Sequence, residues 1–141
     1  MVRPKQIPPA HPDVALQHFE HKLAVETDCS DVHAALATGD PGFVLVDVRS
    51  AALFADGHVP GAIHIPHAQL TEPRMAAYPM ETLFVVYCAG PHCNGATKAA
   101  ARLALLGRPV KEMIGGITGW IDDGLALQRA EPAVPAVRET A

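Results

Sequence analysis

The stretch LFVVYCAGPHCNGA, residues 83–96, decides the fold of this 141-residue chain. Its first part, residues 83–87, is a short apolar β-prone run, which is typical of a strand buried on both faces of a parallel sheet. A glycine-containing loop begins at Cys88, and the apolar pattern that follows predicts a helix over residues 95–106. A strand that feeds a helix through a short loop favours an α/β fold with a mainly parallel sheet.

Similar signals recur on both sides of this stretch. A first helix is predicted from about Pro12, where Leu16, Phe19 and Leu23 recur at helical spacing. Further strands are predicted over residues 24–26, 43–48, 62–65 and 109–113, and further helices over residues 28–36, 51–55 and 117–123. Because prolines cluster at both ends, we expect a single domain over residues 13–128, with tails at residues 1–12 and 129–141.

Composition excludes several classes of protein. The net charge of −4 and the 18% of charged residues argue against a polybasic nucleic-acid binder and against a disordered polyelectrolyte. No apolar run approaches the roughly 20 residues that a membrane helix needs, and the first ten residues hold no apolar signal core. Three cysteines are too few for a disulfide framework. We therefore expect a cytoplasmic protein with free thiols and with neither a nucleic-acid nor a membrane partner; the oligomeric state stays open.

Cys88 is the candidate nucleophile. Ligands of open α/β sheets bind where strands feed helices, and Cys88 stands at such a point. Loop N–H groups and the positive end of the helix dipole there would favour a thiolate. Residues 83–121 carry four basic side chains against one acidic, a net of +3, in a chain that is acidic elsewhere. This local excess predicts a site for a small anion.

Four motifs in unbroken order resemble the rhodanese domain: Asp47-Val48-Arg49, GHVPGAIHIP at 57–66, VVYCAG at 85–90 and GGITGW at 115–120. The resemblance spans about residues 27–127. It implies a rhodanese-like three-layer sandwich, in which helices flank a five-stranded, mainly parallel sheet.

The same resemblance implies a sulfurtransferase whose Cys88 carries sulfane sulfur as a persulfide, without a metal or an organic cofactor. The sulfur donor would be a small anionic compound or a protein persulfide. The loop that would cradle the sulfur with its N–H groups comprises Ala89, Gly90, Pro91, His92, Cys93, Asn94 and Gly95; Pro91 belongs to it as a loop residue, since proline has no N–H to donate. Asp47 and Arg49 would brace this loop from the neighbouring strand.

Three departures from the family pattern bear on activity. No lysine or arginine lies between Cys88 and Lys98, so we expect thiosulfate, a dianion, to be a poor donor. Leu53 stands where the family often has a glutamate, so Arg49 needs another partner. Cys93 lies inside the loop, where it would either resolve a Cys88 persulfide as a disulfide or simply fill space.

The spacing of residues after Cys88 argues against two other enzyme classes. A cysteine phosphatase needs an arginine six positions after the cysteine, and that position holds Asn94. Thioredoxin-type exchange needs two residues between the cysteines, and here there are four. Cys29, among acidic neighbours, is expected to be structural. The alternative from another class is a non-enzymatic binding or redox-sensing module that uses Cys88 and Cys93.

Overall fold

The structure is a computed structural model that describes residues 2–129. Its five strands form one parallel sheet in the order β1-β5-β4-β2-β3. The strands are β1 (Glu26–Asp28), β2 (Val44–Asp47), β3 (Ile63–His64), β4 (Phe84–Tyr87) and β5 (Val110–Ile114). The helices are α1 (Pro12–Val25), α2 (Cys29–Ala37), α3 (Ala51–Asp56), α4 (Glu72–Met75), α5 (Gly95–Leu105) and α6 (Gly116–Asp122).

The central strand β4 is formed by the apolar run at residues 84–87. All four of its residues are buried, and it pairs with β2 on one side and β5 on the other. Helix α5 contributes Ala96, Ala99 and Leu103 to the core on one face of the sheet. Helices α2 and α6 pack on the other face, where Trp120 is 1% exposed. The predicted three-layer α/β fold is confirmed.

The amino-terminal helix differs from the rest of the fold. It begins at Pro12 as predicted, and His11 Nδ1 accepts a hydrogen bond from the Asp13 N–H at its start. None of its residues is buried, and Leu16, Phe19 and Leu23 are each more than half exposed. The helical spacing therefore identified the helix but not a buried face. The helix also continues to Val25, so β1 starts two residues later than predicted.

The sequence pattern gives no prediction for residues 66–82, and the structure places a 3₁₀ turn, His67–Gln69, and the helix α4 there. Arg108 fixes the segment, since its guanidinium donates to the carbonyls of Met75, Tyr78 and Pro79 at 2.7–2.9 Å. Arg102 likewise donates to the carbonyl of Leu70. Long-range contacts of this kind leave no local periodic signal in a sequence.

The predicted tails are described in part. Residues 2–11 contain neither helix nor strand, whereas Met1 and residues 130–141 lie outside the described residues. The single-domain boundaries at 13 and 128 stay a prediction. Between residues 2 and 129, no helix combines the length and the hydropathy that crossing a bilayer requires.

Candidate functional site

Cys88 lies at the carboxyl end of β4, and its side chain is 8% exposed. Five residues later, Cys93 lies on the exposed part of the loop. The structure pairs the two as a disulfide, with their Cα atoms 6.6 Å apart, which is within the usual range for such a bond. The topology therefore brings the candidate nucleophile and the candidate resolving thiol into direct contact.

Gly95, the first residue of α5, packs against both sulfurs. A Cβ at this position would lie 2.8 Å from Cys88 Sγ and 3.2 Å from Cys93 Sγ. The Gly95 N–H donates to Cys93 Sγ at 3.3 Å. Both sulfurs thus lie at the amino terminus of an 11-residue helix, the end that favours negative charge.

Helix α6, which follows β5, supports the start of the loop through hydrogen bonds to two loop carbonyls. The Ile117 N–H donates to the Cys88 carbonyl at 3.0 Å, and both the N–H and the hydroxyl of Thr118 donate to the Ala89 carbonyl at 2.9 Å. At Gly116, with φ of +58°, a Cβ would lie 2.5 Å from the Cys88 carbonyl oxygen. No role is predicted for Gly116 or Thr118 from the sequence, and the GGITGW motif at 115–120 is the signal that could have identified them.

The predicted cradle loop divides by exposure. Ala89, Gly90 and Gly95 are half-buried, and the loop residues between Gly90 and Gly95 are exposed: Pro91, His92, Cys93 and Asn94. The Cys93 N–H donates to the Gly90 carbonyl at 3.0 Å and closes a turn. Among the described residues, the loop N–H that donates to a sulfur is that of Gly95. Its acceptor is Cys93 Sγ and not Cys88 Sγ. A set of N–H groups around Cys88 stays a prediction.

A cavity of about 420 Å³ opens beside the disulfide. Its walls come from β1, β5, the loop and the starts of α5 and α6, and the lining residues include Glu26 and Glu112. The Thr97 hydroxyl donates to Glu112 Oε1 at 2.5 Å. In the described part of the chain, no lysine, arginine or histidine lines this cavity. Sequence reasoning missed both glutamates because they come from two different strands.

The basic side chains of residues 83–121 do not converge on Cys88. Arg102 and Arg108 donate to carbonyls in the segment 66–82, and Lys111 Nζ donates to the Leu23 carbonyl at 3.0 Å. Lys98 is exposed and does not line the cavity. The expectation that local positive charge surrounds the thiol is wrong for Arg102, Arg108 and Lys111, because these three side chains hold backbone carbonyls elsewhere.

Asp47 and Arg49 form a buried ion pair. Arg49 Nη2 lies 2.7 Å from Asp47 Oδ2, and the same guanidinium donates to the Gly57 carbonyl at 2.5 Å. The guanidinium carbon lies 5.9 Å from the ring centre of Tyr87, the residue before Cys88. Arg49 therefore has Asp47 as the partner that Leu53 does not supply. The pair fixes the turn at Gly57 rather than bonding to the cradle loop.

Cys29 has a different environment. It is 4% exposed, and its thiol donates to the carbonyls of Ile114 and Gly116 at 3.6 Å. Burial, followed by the charges of Asp123 and Asp28, raises the pKa of this thiol to about 11. A thiol held in its neutral form in the core suits the structural role expected from the sequence.

Histidines near the site make local contacts. His64 Nε2 lies 2.7 Å from the Arg49 carbonyl oxygen, and His58 Nδ1 lies 2.8 Å from that of Phe54. The Phe54 ring stacks on both imidazoles. Among residues 2–129, no group of three or more histidine, cysteine or acidic side chains has an arrangement suited to a metal ion.

Comparison with known proteins relates this site to one family. A family model described as the rhodanese-like domain matches residues 28–123. The solved BH2092 protein of Bacillus halodurans has a TM-score of 0.81 at 37% identity, and the match covers 92% of this chain and 98% of that one. The solution structure of the rhodanese-like domain of Alr3790 from Anabaena has a TM-score of 0.66 at 27% identity, with 79% and 84% covered.

Two further matches are a curated protein and a solved structure that shares the fold. The HTH-type transcriptional regulator Rv0324 of Mycobacterium tuberculosis is 38% identical over 88 residues, which are 62% of this chain. The match spans 38% of the length of that regulator. The thiosulfate sulfurtransferase of Pseudomonas aeruginosa shares the fold at a TM-score of 0.64 and 21% identity, with 82% of this chain and 23% of that one covered.

Proposed function

Because the chain belongs to the family of rhodanese-like domains, we propose that it is a cytoplasmic sulfurtransferase that carries sulfane sulfur on Cys88. One observation carries the proposal: Cys88 Sγ lies between a cavity and the amino terminus of α5. The helix end stabilises the thiolate that must attack, and the cavity gives the donor a place to bind.

The proposed reaction has two displacements. The Cys88 thiolate attacks the outer sulfur of a donor R–S–SH, the donor's S–S bond breaks, and R–S⁻ leaves. Cys88 then carries the –S–SH group, with no net oxidation. An acceptor thiolate attacks the outer sulfur in turn and restores the Cys88 thiolate. From the disulfide state, a cellular thiol must first reduce the Cys88–Cys93 bond.

Cys93 gives the persulfide a second outcome. Its thiolate would attack the inner sulfur of the Cys88 persulfide, form the Cys88–Cys93 disulfide and release hydrosulfide. A low-molecular-weight thiol would then reset the site, and two such thiols would be oxidised to their own disulfide. The contact between the two sulfurs supports this resolving role.

The second candidate function is a redox-sensing or binding module without turnover. The disulfide favours it, because the paired state blocks the nucleophile and changes the surface of the loop. The relative from Mycobacterium tuberculosis is named as a transcriptional regulator, so regions similar to this chain also occur within regulatory proteins.

Mass spectrometry of the reduced protein after exposure to a small persulfide tests the choice. Sulfur transfer predicts the gain of one sulfur atom on Cys88, none in Cys88→Ser, and a longer-lived adduct in Cys93→Ser, which has lost the resolving thiol. Cys29→Ala serves as the matched control and keeps the wild-type adduct. A Cys88–Cys93 disulfide that forms with peroxide, with no persulfide from any donor, would favour the sensing module.

A further inference from the structure

Two carboxylates lie side by side in the wall of the Cys88 cavity. Glu26 on β1 and Glu112 on β5 are register partners in neighbouring parallel strands, so their side chains project from the same face of the sheet. Both are half-buried, and both line the cavity that Cys88 and Cys93 share. A substrate at Cys88 therefore enters beside two acidic groups.

Glu112 is held toward the site. Its Oε1 accepts the hydroxyl proton of Thr97, which lies in the first turn of α5. Helix α5 also presents Gly95 to the two sulfurs. The carboxylate and the nucleophile are thus both held against the first turn of α5, and both line the same cavity.

Nearby cations compensate this charge only weakly. Lys22 Nζ lies 3.9 Å from Glu26 Oε1, but the Lys22 side chain is 59% exposed, and exposed pairs of this kind are weak and screened by salt. Lys111 bonds to the Leu23 carbonyl, and Lys98 does not line the cavity. The charged side chains that line the cavity are accordingly those of Glu26 and Glu112, and their charges act on a substrate there together with the amino terminus of α5.

We propose that Glu26 and Glu112 select sulfur donors and acceptors that are positively charged, such as aminothiol persulfides, over anionic ones such as thiosulfate. The inference rests on the proposed function of Cys88, because it names the substrate class of that site. An ammonium group near the transferred sulfur would lie beside the acidic pair, whereas a dianion would be repelled by it.

Charged thiol reagents test the selectivity without requiring turnover. On the Cys93→Ser protein, Cys88 is labelled with a trimethylammonium and with a sulfonate methanethiosulfonate reagent, and each rate is divided by that of free cysteine. We expect the cationic reagent to be favoured by about threefold to tenfold or more. Glu112→Gln and Glu26→Gln should each lower this ratio by about threefold.

Glu81→Gln provides the matched control, because Glu81 precedes β4 and so lies at the opposite end of the sheet from Cys88. It should leave the ratio unchanged. A ratio of one or below in the parent protein, or a ratio that neither glutamate variant changes, would overturn the inference. Since the same thiolate reacts with both reagents, a change in its pKa cancels in the ratio.

Steady-state kinetics then separates this inference from the proposed function. With cysteamine persulfide and thiosulfate as donors, Glu112→Gln should raise kcat/KM for thiosulfate and lower it for the cation, so that the ratio of the two values falls by about threefold or more. If both donors are turned over and Glu112→Gln leaves the ratio of the two kcat/KM values unchanged, the proposed charge selectivity is contradicted while the sulfurtransferase function stands. A charge-dependent labelling ratio without persulfide on Cys88 would contradict the sulfurtransferase instead.

Discussion

Gly95 approaches Cys88 so closely that a Cβ on the glycine would lie 2.8 Å from the Cys88 sulfur. Real Cβ atoms do not remain at such a distance, so any side chain there must displace the sulfur or the first turn of α5. Position 95 requires glycine because the Cys88 sulfur occupies the volume that a side chain at the start of α5 would fill. Its φ is not in the left-handed region, so the requirement comes from space alone.

Gly95→Ala should therefore slow the modification of Cys88 while leaving the fold intact. The methyl group moves the sulfur away from the helix end, so we expect at least a tenfold lower rate of alkylation at neutral pH. Alkylation followed by peptide mapping measures this. Gly124→Ala is the control: no atom lies within 4 Å of its Cβ and its φ is +75°, so it costs backbone strain but should leave Cys88 unaffected.

In the reduced protein, Cys88 should be the most reactive of the three thiols. The helix end favours its thiolate, whereas burial holds the Cys29 thiol neutral with a pKa of about 11. The rate of iodoacetamide labelling against pH should give a Cys88 pKa below the usual value of about 8.5. A higher value, or faster labelling of Cys29, would remove the basis for nucleophilic catalysis.

The Asp47–Arg49 pair should be sensitive to loss of one partner. Arg49→Leu leaves the fully buried Asp47 carboxylate without its cation, so the free energy of unfolding should fall by about 3–5 kcal/mol. Urea unfolding measures this. The double variant Asp47→Asn, Arg49→Met removes both charges and should recover part of the loss; equal losses in both proteins would mean that the ion pair itself is unimportant.

Cys29 should make the fold less stable in alkali. In the unfolded chain a thiol ionises near its ordinary pKa of about 8.5, but in the folded protein it ionises only near pH 11. The thiolate therefore forms first in the unfolded state, and the contribution of Cys29 to stability is full below pH 8.5 and declines as the pH rises toward 11. The slope is at most about 1.4 kcal/mol per pH unit.

Urea unfolding at several pH values between 8 and 10.5 measures that slope. Cys29→Ala lacks the ionising group, so its stability should fall less steeply over the same range than that of the parent protein. Parallel curves for the two proteins would contradict the assignment of the loss to Cys29.

Much of the fold follows from local pattern. The helix over residues 95–105 and the strand β4 agree with prediction to within a residue, because a buried apolar strand and a helix with one apolar face both leave strong local signals. The placement of Cys88 follows from the same two elements. The local sequence pattern does not predict that Leu16, Phe19 and Leu23 are exposed, because burial of a helix face depends on which other elements pack against it.

The electrostatics of the site was the least predictable feature. The charges of residues 83–121 sum to a basic region, yet the guanidinium groups of Arg102 and Arg108 donate their hydrogen bonds to carbonyls of the segment 66–82. The acidic wall of the cavity depends on the pairing of Glu26 with Glu112. That pairing joins residues 86 positions apart, and only the sheet order brings them together.

The sheet order also bears on association between chains. The edge strands are β1 and β3, and they contain three and two residues. Strands this short offer a second chain few free N–H and carbonyl groups, whereas the longer strands β2, β4 and β5 lie inside the sheet. Short edges are a recognised protection against edge-to-edge aggregation. The chain can therefore keep β-prone runs such as residues 83–87 without exposing them as templates for fibril growth.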